Sequence, residues 1–299
     1  MIRILPEVQA ALDAGRPVVA LESSVIAQGL PVPANAECVR GMTAAVQAAG
    51  ALAAITAVVR GQPTLGLEPA ELARFLAREG VRKVSARDLP AAMAQGADGA
   101  TTVAATLALA HLAGVRVFAT GGIGGVHREP AFDESADLLE LSRTPMVVVC
   151  AGAKAILDLP ATVERLESYG VPVVGYRTGE LPGFFTRETG IELRARAESA
   201  GELARMFHAH RSLGRQQALL VVQPPPAEVA LPRDEVERAV ADALAAARAA
   251  GVHGAAVTPY LLTAVTEFTH GQSLQANLAL LEANARLAGE IALELGSAT

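Results

Sequence analysis

The sequence predicts a three-layer α/β/α sandwich around a central, mixed sheet, built as one domain over residues 1–299. Three observations predict it. Short apolar runs of strand length alternate with helical stretches along the whole chain, the arrangement of a sheet covered on both faces by helices. Hydrophobic residues make up 51% of the chain but aromatics only 3%, so Ala-rich helices must pack closely on the sheet in place of a large aromatic cluster. No internal repeat and no low-complexity linker divides the 299 residues.

Residues 7–14 read as a short helix stopped by Gly15, and 17–21 as a buried strand. Residues 33–49 form a helix with Asn35 near its start and Gly50 as its stop. A second strand covers 52–60. The helix over 68–80 opens at Glu68-Pro69, proline being at home in a first turn. Residues 101–113 are an Ala/Leu helix ended by Gly114. Residues 115–120 are a strand that runs straight into Gly121-Gly122-Ile123-Gly124-Gly125. A strand over 146–151, a helix over 160–169 and a strand over 171–176 follow. Next come a helix over 200–213 and a strand over 218–223, halted by Pro224-Pro225-Pro226. The helix over 234–250 opens with acids and closes at Gly251, and a last helix spans 273–295. The stretches 83–99 and 176–189 are irregular and read as edge excursions or walls of a site.

Charge and cysteine content narrow the function. A net charge of −6 and no run of Lys or Arg give little support to a nucleic-acid partner. Cys38 and Cys150 lie far apart with no CxxC spacing, which argues against a disulfide framework or a zinc site. The opening run Met1-Ile2-Arg3-Ile4-Leu5-Pro6-Glu7 has a proline and an acid where a signal peptide would be apolar. Apolar stretches stop short of the roughly 20 residues that span a bilayer. A soluble, cytoplasmic protein is expected.

Two charges stand in apolar settings. Glu22 ends the strand Val18-Val19-Ala20-Leu21 and leads into Gly29-Leu30-Pro31, and Lys154 follows Val147-Val148-Val149-Cys150-Ala151-Gly152-Ala153. A charge there is costly unless paired or needed in a perturbed state. Burial favours a neutral amine fit for Schiff-base chemistry, while a lysine that snorkels to water is the plainer alternative. The glycines of 121–125 let backbone N–H groups approach an anion, or merely make a tight turn; His127-Arg128 beside them favours the anion. An anionic group of a ligand is expected at that loop, with His127 and Lys83 near. Asp133, Glu134 and Asp137 suit Mg²⁺ or Mn²⁺, unless Asp133 or Ser135 caps a helix over 136–141. Lys83, by itself, reads as a surface strand lysine. Asn277 and Asn284, seven apart, share a helix face and could bind a ligand or bridge helix to loop. His111, His208, His210, His253 and His270 show no metal spacing.

These residues together resemble the pseudouridine-5′-phosphate glycosidase family, whose fold is shared with the indigoidine-synthase A-type proteins. The motifs that carry it are Ala20-Leu21-Glu22-Ser23-Ser24 with Gly29-Leu30-Pro31, Lys83-Val84-Ser85 with Asp88-Leu89-Pro90, Gly99-Ala100-Thr101-Thr102-Val103, Ala119 through Arg128, Asp133 through Leu138, Cys150 through Lys154 and Gly271 through Asn277. They run in order over nearly the whole chain. The resemblance implies Mn²⁺-assisted cleavage of the C–C glycosidic bond of pseudouridine 5′-phosphate, giving uracil and ribose 5-phosphate, by an enzyme often assembled as a homotrimer. It makes Lys154 the Schiff-base nucleophile at C1′, Glu22 the proton shuttle and Asp133 the metal ligand. Lys83, Val103 and Ser135-Ala136-Asp137 would line the substrate, with His127 and Asn277 as further site residues. One departure is Gln223-Pro224-Pro225-Pro226 where the family tends to carry Asn-Pro; it bears on substrate contact at that strand end. The alternatives are a same-fold enzyme for another C- or N-glycosyl phosphate, and a non-catalytic sugar-phosphate sensor.

Overall fold

The computed structural model describes residues 2–129, 132–252 and 257–297; His253 lies outside them. The first part of the chain forms β1 (Arg3–Ile4), α1 (Pro6–Asp13), β2 (Val18–Leu21), a π-helical turn (Val25–Gly29), α2 (Ala34–Ala48), β3 (Leu52–Val59), β4 (Gln62–Leu65) and α3 (Pro69–Ala77). It continues with β5 (Arg82–Val84), α4 (Leu89–Ala94), β6 (Gly99–Thr101) and α5 (Val103–Leu112). Then come β7 (Val117–Ala119), β8 (Val126–His127), α6 (Ala136–Leu141), β9 (Val147–Cys150), β10 (Leu157–Asp158), α7 (Leu159–Ser168) and β11 (Val173–Tyr176). The last elements are β12 (Ala195–Ala197), α8 (Ala200–Ser212), β13 (Leu219–Val222), α9 (Arg233–Ala249), α10 (Val257–Phe268) and α11 (Gln272–Ser297).

Among the described residues eleven strands make one sheet, whose main path runs β1-β4-β3-β2-β7-β9-β13-β11-β12. The strands from β3 through β2, β7, β9, β13 and β11 to β12 are parallel, and antiparallel pairs enter where β3 meets β4 and β6. The sheet is therefore mixed, as expected. Every residue of β2, β9 and β13 is buried, which a strand of alternating side chains permits only when both faces are covered. Helix α11 lies on β2, β7 and β9 and packs with α2 and α8, while α5 lies on β2, β3, β4 and β6 beside α6. No described helix is long and apolar enough to cross a membrane.

The predicted elements are present within a few residues of their expected ends. The departures are local. Arg60 and Gly61 both take positive φ (50° and 80°), the two-residue turn that matches strand twist, so β3 doubles back as β4. The irregular stretch 83–99 contains β5, α4 and the start of β6. Helix α10 has no counterpart in the expectations. The pieces within 83–99 are too short to show a period of their own, whereas α10 carries a helical one in Val257, Tyr260, Leu261, Ala264, Val265 and Phe268.

One exchange of partners places the site. Strand β2 runs beside β3 from Val18 to Leu21, and beyond that point β6 takes its place, pairing with Ala57 and Val58. Ser23 stitches the crossover: its hydroxyl accepts from the Thr101 N–H at 2.8 Å. The chain leaving β2 is thus forced out of the sheet at Glu22. The crevice beyond the carboxyl ends of parallel strands is where such folds bind ligands.

Candidate active site

Glu22 is the first residue past β2 and is buried. A buried carboxylate must be hydrogen-bonded, and both of its oxygens are: Oε1 accepts from the Thr120 hydroxyl and Oε2 from the Ser24 hydroxyl. Ser24 stands at the head of the π-helical turn, and Thr120 directly follows β7. The turn is held in turn by Asn35, whose amide donates to the carbonyls of Ile26 (3.0 Å) and Leu76 (2.9 Å).

Lys154 is set by a second strand end. After β9 the chain turns at Gly152, with φ +89° and no room for a Cβ, which would stand 2.4 Å from the Pro182 carbonyl oxygen. The Gly121–Gly125 loop then zips against it: Ile123 N–H donates to Gly152 O (3.0 Å) and Lys154 N–H to Ile123 O (3.1 Å). Lys154 emerges half-buried into a cavity of about 710 Å³. Glu22, Lys83, Val103, His127, Asp133, Ser135, Ala136, Asp137 and Asn277 line the same cavity. Residues from 22 to 277 thus meet in one crevice.

Lys83, on β5, stands exposed at the rim. Desolvation by the concave wall first, and the charge of Lys154 next, lower its pKa below the usual lysine value, against the pull of Asp137 and Glu22. His127 is held below the ordinary histidine value by burial, with Lys154 and Lys83 adding to the effect and Asp133 opposing it. Lys83 and Lys154 are the only lysines in the chain, every other long basic side chain being arginine. Lys83 is a surface strand lysine, as expected of it by itself, and it borders the cavity as well.

The acidic cluster divides into three jobs. Glu134 is tied to Arg165 at 2.5 Å. Asp137 is buried and accepts from two backbone amides, Ala104 through Oδ1 and Gly124 through Oδ2, both at 2.9 Å. It clamps the glycine loop to the start of α5. Ser135 caps α6, accepting from Asp137 N–H at 3.2 Å. Only Asp133 keeps its carboxylate open, with a 4.0 Å approach to His127 and a side chain 43% exposed. Among the described residues no three His, Cys, Asp or Glu gather as a metal cluster. One open carboxylate on a cavity lined by polar side chains fits a hard divalent ion that completes its shell with waters and substrate oxygens.

The glycine loop is less free to bind an anion than its composition implies. Besides Ile123 and Gly124, Val126 N–H is committed, to Thr162 Oγ1 at 3.0 Å. The start of α5 borders the same cavity. Thr102 at its cap makes no capping hydrogen bond, and Thr102 Oγ1 and Gln28 Oε1 on the cavity wall lack a partner among the described residues. Val103, Lys83 and Ser135 border the same cavity. The two amides of α11 part company: Asn277 faces the cavity, while Asn284 is buried against the strand ends. Gln223 does not line the cavity; it donates to Asn284 at 2.9 Å. Thr120 belongs to a motif that carries the resemblance but has no role assigned by sequence, and Phe184 gives no signal there. Phe184 closes one wall at φ +67°, its ring pressed on Gly122.

A family model described as "Indigoidine synthase A like protein" matches residues 7–294. A protein of Gemmatimonas aurantiaca named pseudouridine-5′-phosphate glycosidase is 65% identical over 289 residues, 97% of this chain and 94% of its own. One of the same name from Herpetosiphon aurantiacus is 51% identical over 294 residues, covering 98% and 97%. Among solved structures, the prealnumycin C-glycosynthase AlnA in complex with ribulose 5-phosphate matches with a TM-score of 0.92 at 40% identity, over 99% of this chain and 97% of that one. An indigoidine synthase A-like protein of Thermotoga maritima matches at 0.89 and 37%, over 99% and 97%. With sequence, fold and cavity in agreement over nearly its full length, this chain belongs to the indigoidine synthase A-like protein family.

Proposed function

We propose that this protein reversibly cleaves the C–C glycosidic bond of pseudouridine 5′-phosphate, giving uracil and ribose 5-phosphate. The observation that carries the reading is a primary amine and a doubly hydrogen-bonded carboxylate, Lys154 and Glu22, opening onto one cavity that also holds a second ammonium, Lys83. The names of the relatives support the substrate, and the ribulose 5-phosphate held by AlnA supports a sugar-phosphate site.

A C–C bond to uracil C5 offers no leaving oxygen to protonate, so the two-carboxylate glycosidase scheme does not apply. Glu22 first takes a proton from the Lys154 ammonium; the free amine bonds through nitrogen to C1′ while the C1′–O4′ bond breaks, and the proton then shed by nitrogen passes to O4′. Glu22, as the acid, then gives its proton to C5. The C1′–C5 pair restores the ring double bond as the nitrogen lone pair closes C1′=N, and uracil departs. Water adds to the iminium, the amine leaves, and the freed proton returns through Glu22 to Lys154. Ribose 5-phosphate is released and both residues are reset.

The phosphate lies against Lys83 and the start of α5, where a dianion offsets the two neighbouring ammonium groups. Mn²⁺, held by Asp133, would supply positive charge to the anionic substrate. The same reading carries assembly as a homotrimer and work in the cytoplasm.

The test uses ribose 5-phosphate and borohydride. Reduction should leave a covalent ribose-phosphate adduct on Lys154, read by mass spectrometry after digestion. Lys154→Ala and Lys154→Arg should lose the adduct and about a thousandfold or more of uracil release, since guanidinium stays protonated. Uridine 5′-phosphate should be inert and unphosphorylated pseudouridine a poor substrate. An adduct on Lys83, or none while the enzyme turns over, would overturn the mechanism; equal turnover of uridine 5′-phosphate would favour another glycosyl phosphate.

A further inference from the structure

Asn284 is fully buried on α11 among Leu280, Leu281, Ala285, Leu287 and Ala288, all buried. An apolar residue would fill such a place without the desolvation that an amide brings. Both ends of the amide are used. Nδ2 donates to the carbonyl of Thr120 at 2.9 Å and lies 3.4 Å from that of Gly121, and Oδ1 accepts from Gln223 Nε2 at 2.9 Å. Thr120 and Gln223 each follow a strand, β7 and β13, and both bond to β9 between them: Thr120 N–H to Val149 O and Gln223 N–H to Cys150 O, at 3.0 Å each. One side chain therefore pins the ends of two strands flanking the strand that leads to Lys154. On the other side of the pinned peptide, the Thr120 hydroxyl donates to Glu22.

We infer that Asn284 and Gln223 are positioning residues for proton transfer, acting through Thr120 on the carboxylate of Glu22. The inference rests on the reaction proposed above. The direction of a hydroxyl is set by the backbone that carries it, and Asn284 fixes that backbone by its carbonyl. A carboxylic acid that must reach a ring carbon works only within a narrow range of position, where an error of about 1 Å can cost a hundredfold. The helix contributes the rigidity: α11 also closes on Gly121, where a Cβ would come within 3.2 Å of Leu281. Neither Asn284 nor Gln223 borders the cavity.

The test separates positioning from packing. Asn284→Asp keeps the shape but sets an acceptor against the Thr120 carbonyl; Gln223→Met removes the donor to Asn284 from a less buried place, and folds even where the first fails. In folded protein, kcat for uracil release should drop about tenfold or more for Asn284→Asp and several-fold for Gln223→Met, with KM within twofold. The solvent deuterium isotope effect on kcat should rise, because proton delivery to C5 becomes more fully rate-limiting. The extent of the borohydride adduct formed on Lys154 from ribose 5-phosphate should stay at the wild-type level. Thr120→Ser should retain activity, and in a Thr120→Val background Asn284→Asp should cost nothing further. Unchanged kcat, an unchanged isotope effect, or full additivity with Thr120→Val would overturn the inference. Absence of uracil release and adduct in the wild type would instead sink the proposed reaction itself.

Discussion

Lys83 and Lys154 show what a chain rich in arginine reserves for lysine. Arginine stays charged and presents a planar fork, whereas an ammonium is a compact charge that can give up its proton. At Lys154 the proposed chemistry needs that loss; at Lys83 it sets a limit. Desolvation and the Lys154 charge lower the Lys83 pKa below 10.5, so its cation is lost sooner than an ordinary lysine's as pH rises. In the proposed reaction, protonated Lys83 is the form that would hold phosphate. KM for pseudouridine 5′-phosphate should therefore be flat near neutral pH and climb as pH rises toward, but still below, 10.5. Lys83→Met should raise KM about ten- to hundredfold at neutral pH, the scale of one charge-assisted hydrogen bond, and abolish the alkaline climb. Initial rates across pH check both; a climb that survives in Lys83→Met would assign it to another group.

At the scale of elements, the site is a set of strand ends clamped by short side chains. Glu22 leaves the sheet because β6 takes the place of β2 beside β3. The glycine loop is locked to α6 and α5 through Asp137 rather than left open. Gly124 is the tightest point: a Cβ there would stand 2.2 Å from Ser135 Oγ and 2.8 Å from Asp137 Oδ2. Gly124→Ala should push the cap of α6 away, costing about 1–3 kcal/mol as overpacking does. Activity should fall by more than the folded fraction explains, because Asp133, Ser135 and Ala136 move with the cap. Gly179→Ala has nothing within 4 Å and is the control; it should change stability by less than about 0.5 kcal/mol. Denaturant melts and rates on the same preparations decide, and a fully active Gly124→Ala would remove the loop from the site.

Across the whole molecule, the cavity is assembled from segments between Glu22, just past β2, and Asn277 on the last helix. No local unit can hold the ligand alone, so binding is linked to global folding. Ribose 5-phosphate at a hundred times its Kd should add about 2.7 kcal/mol of stability, seen as a rise in Tm. Mn²⁺ should add its own increment in the wild type and none in Asp133→Ala, which should otherwise melt as the wild type does. A Mn²⁺ shift that survives in Asp133→Ala would place the ion elsewhere.

The sequence by itself determined the layers and picked out the two charges at strand ends, Glu22 and Lys154, that line the cavity. Buried parallel strands are continuous apolar runs, visible in Val18-Val19-Ala20-Leu21 and Val147-Val148-Val149, and a charge at the end of such a run is conspicuous because burial makes it costly. What it left open were choices between roles for one residue type. Glu134, Asp137 and Asp133 are equivalent in composition, and only their neighbours make them an ion pair, a backbone clamp and an open carboxylate. Asn277 and Asn284 share a helix face, yet one meets the cavity and the other the ends of β7 and β13. The exchange of β2 for β6 joins Ser23 to Thr101, 78 residues away. Local periodicity records which face of an element is apolar, but it carries no information about which distant element will cover that face. That pairing is decided only when the sheet closes, and it is the pairing that puts Thr120 on Glu22.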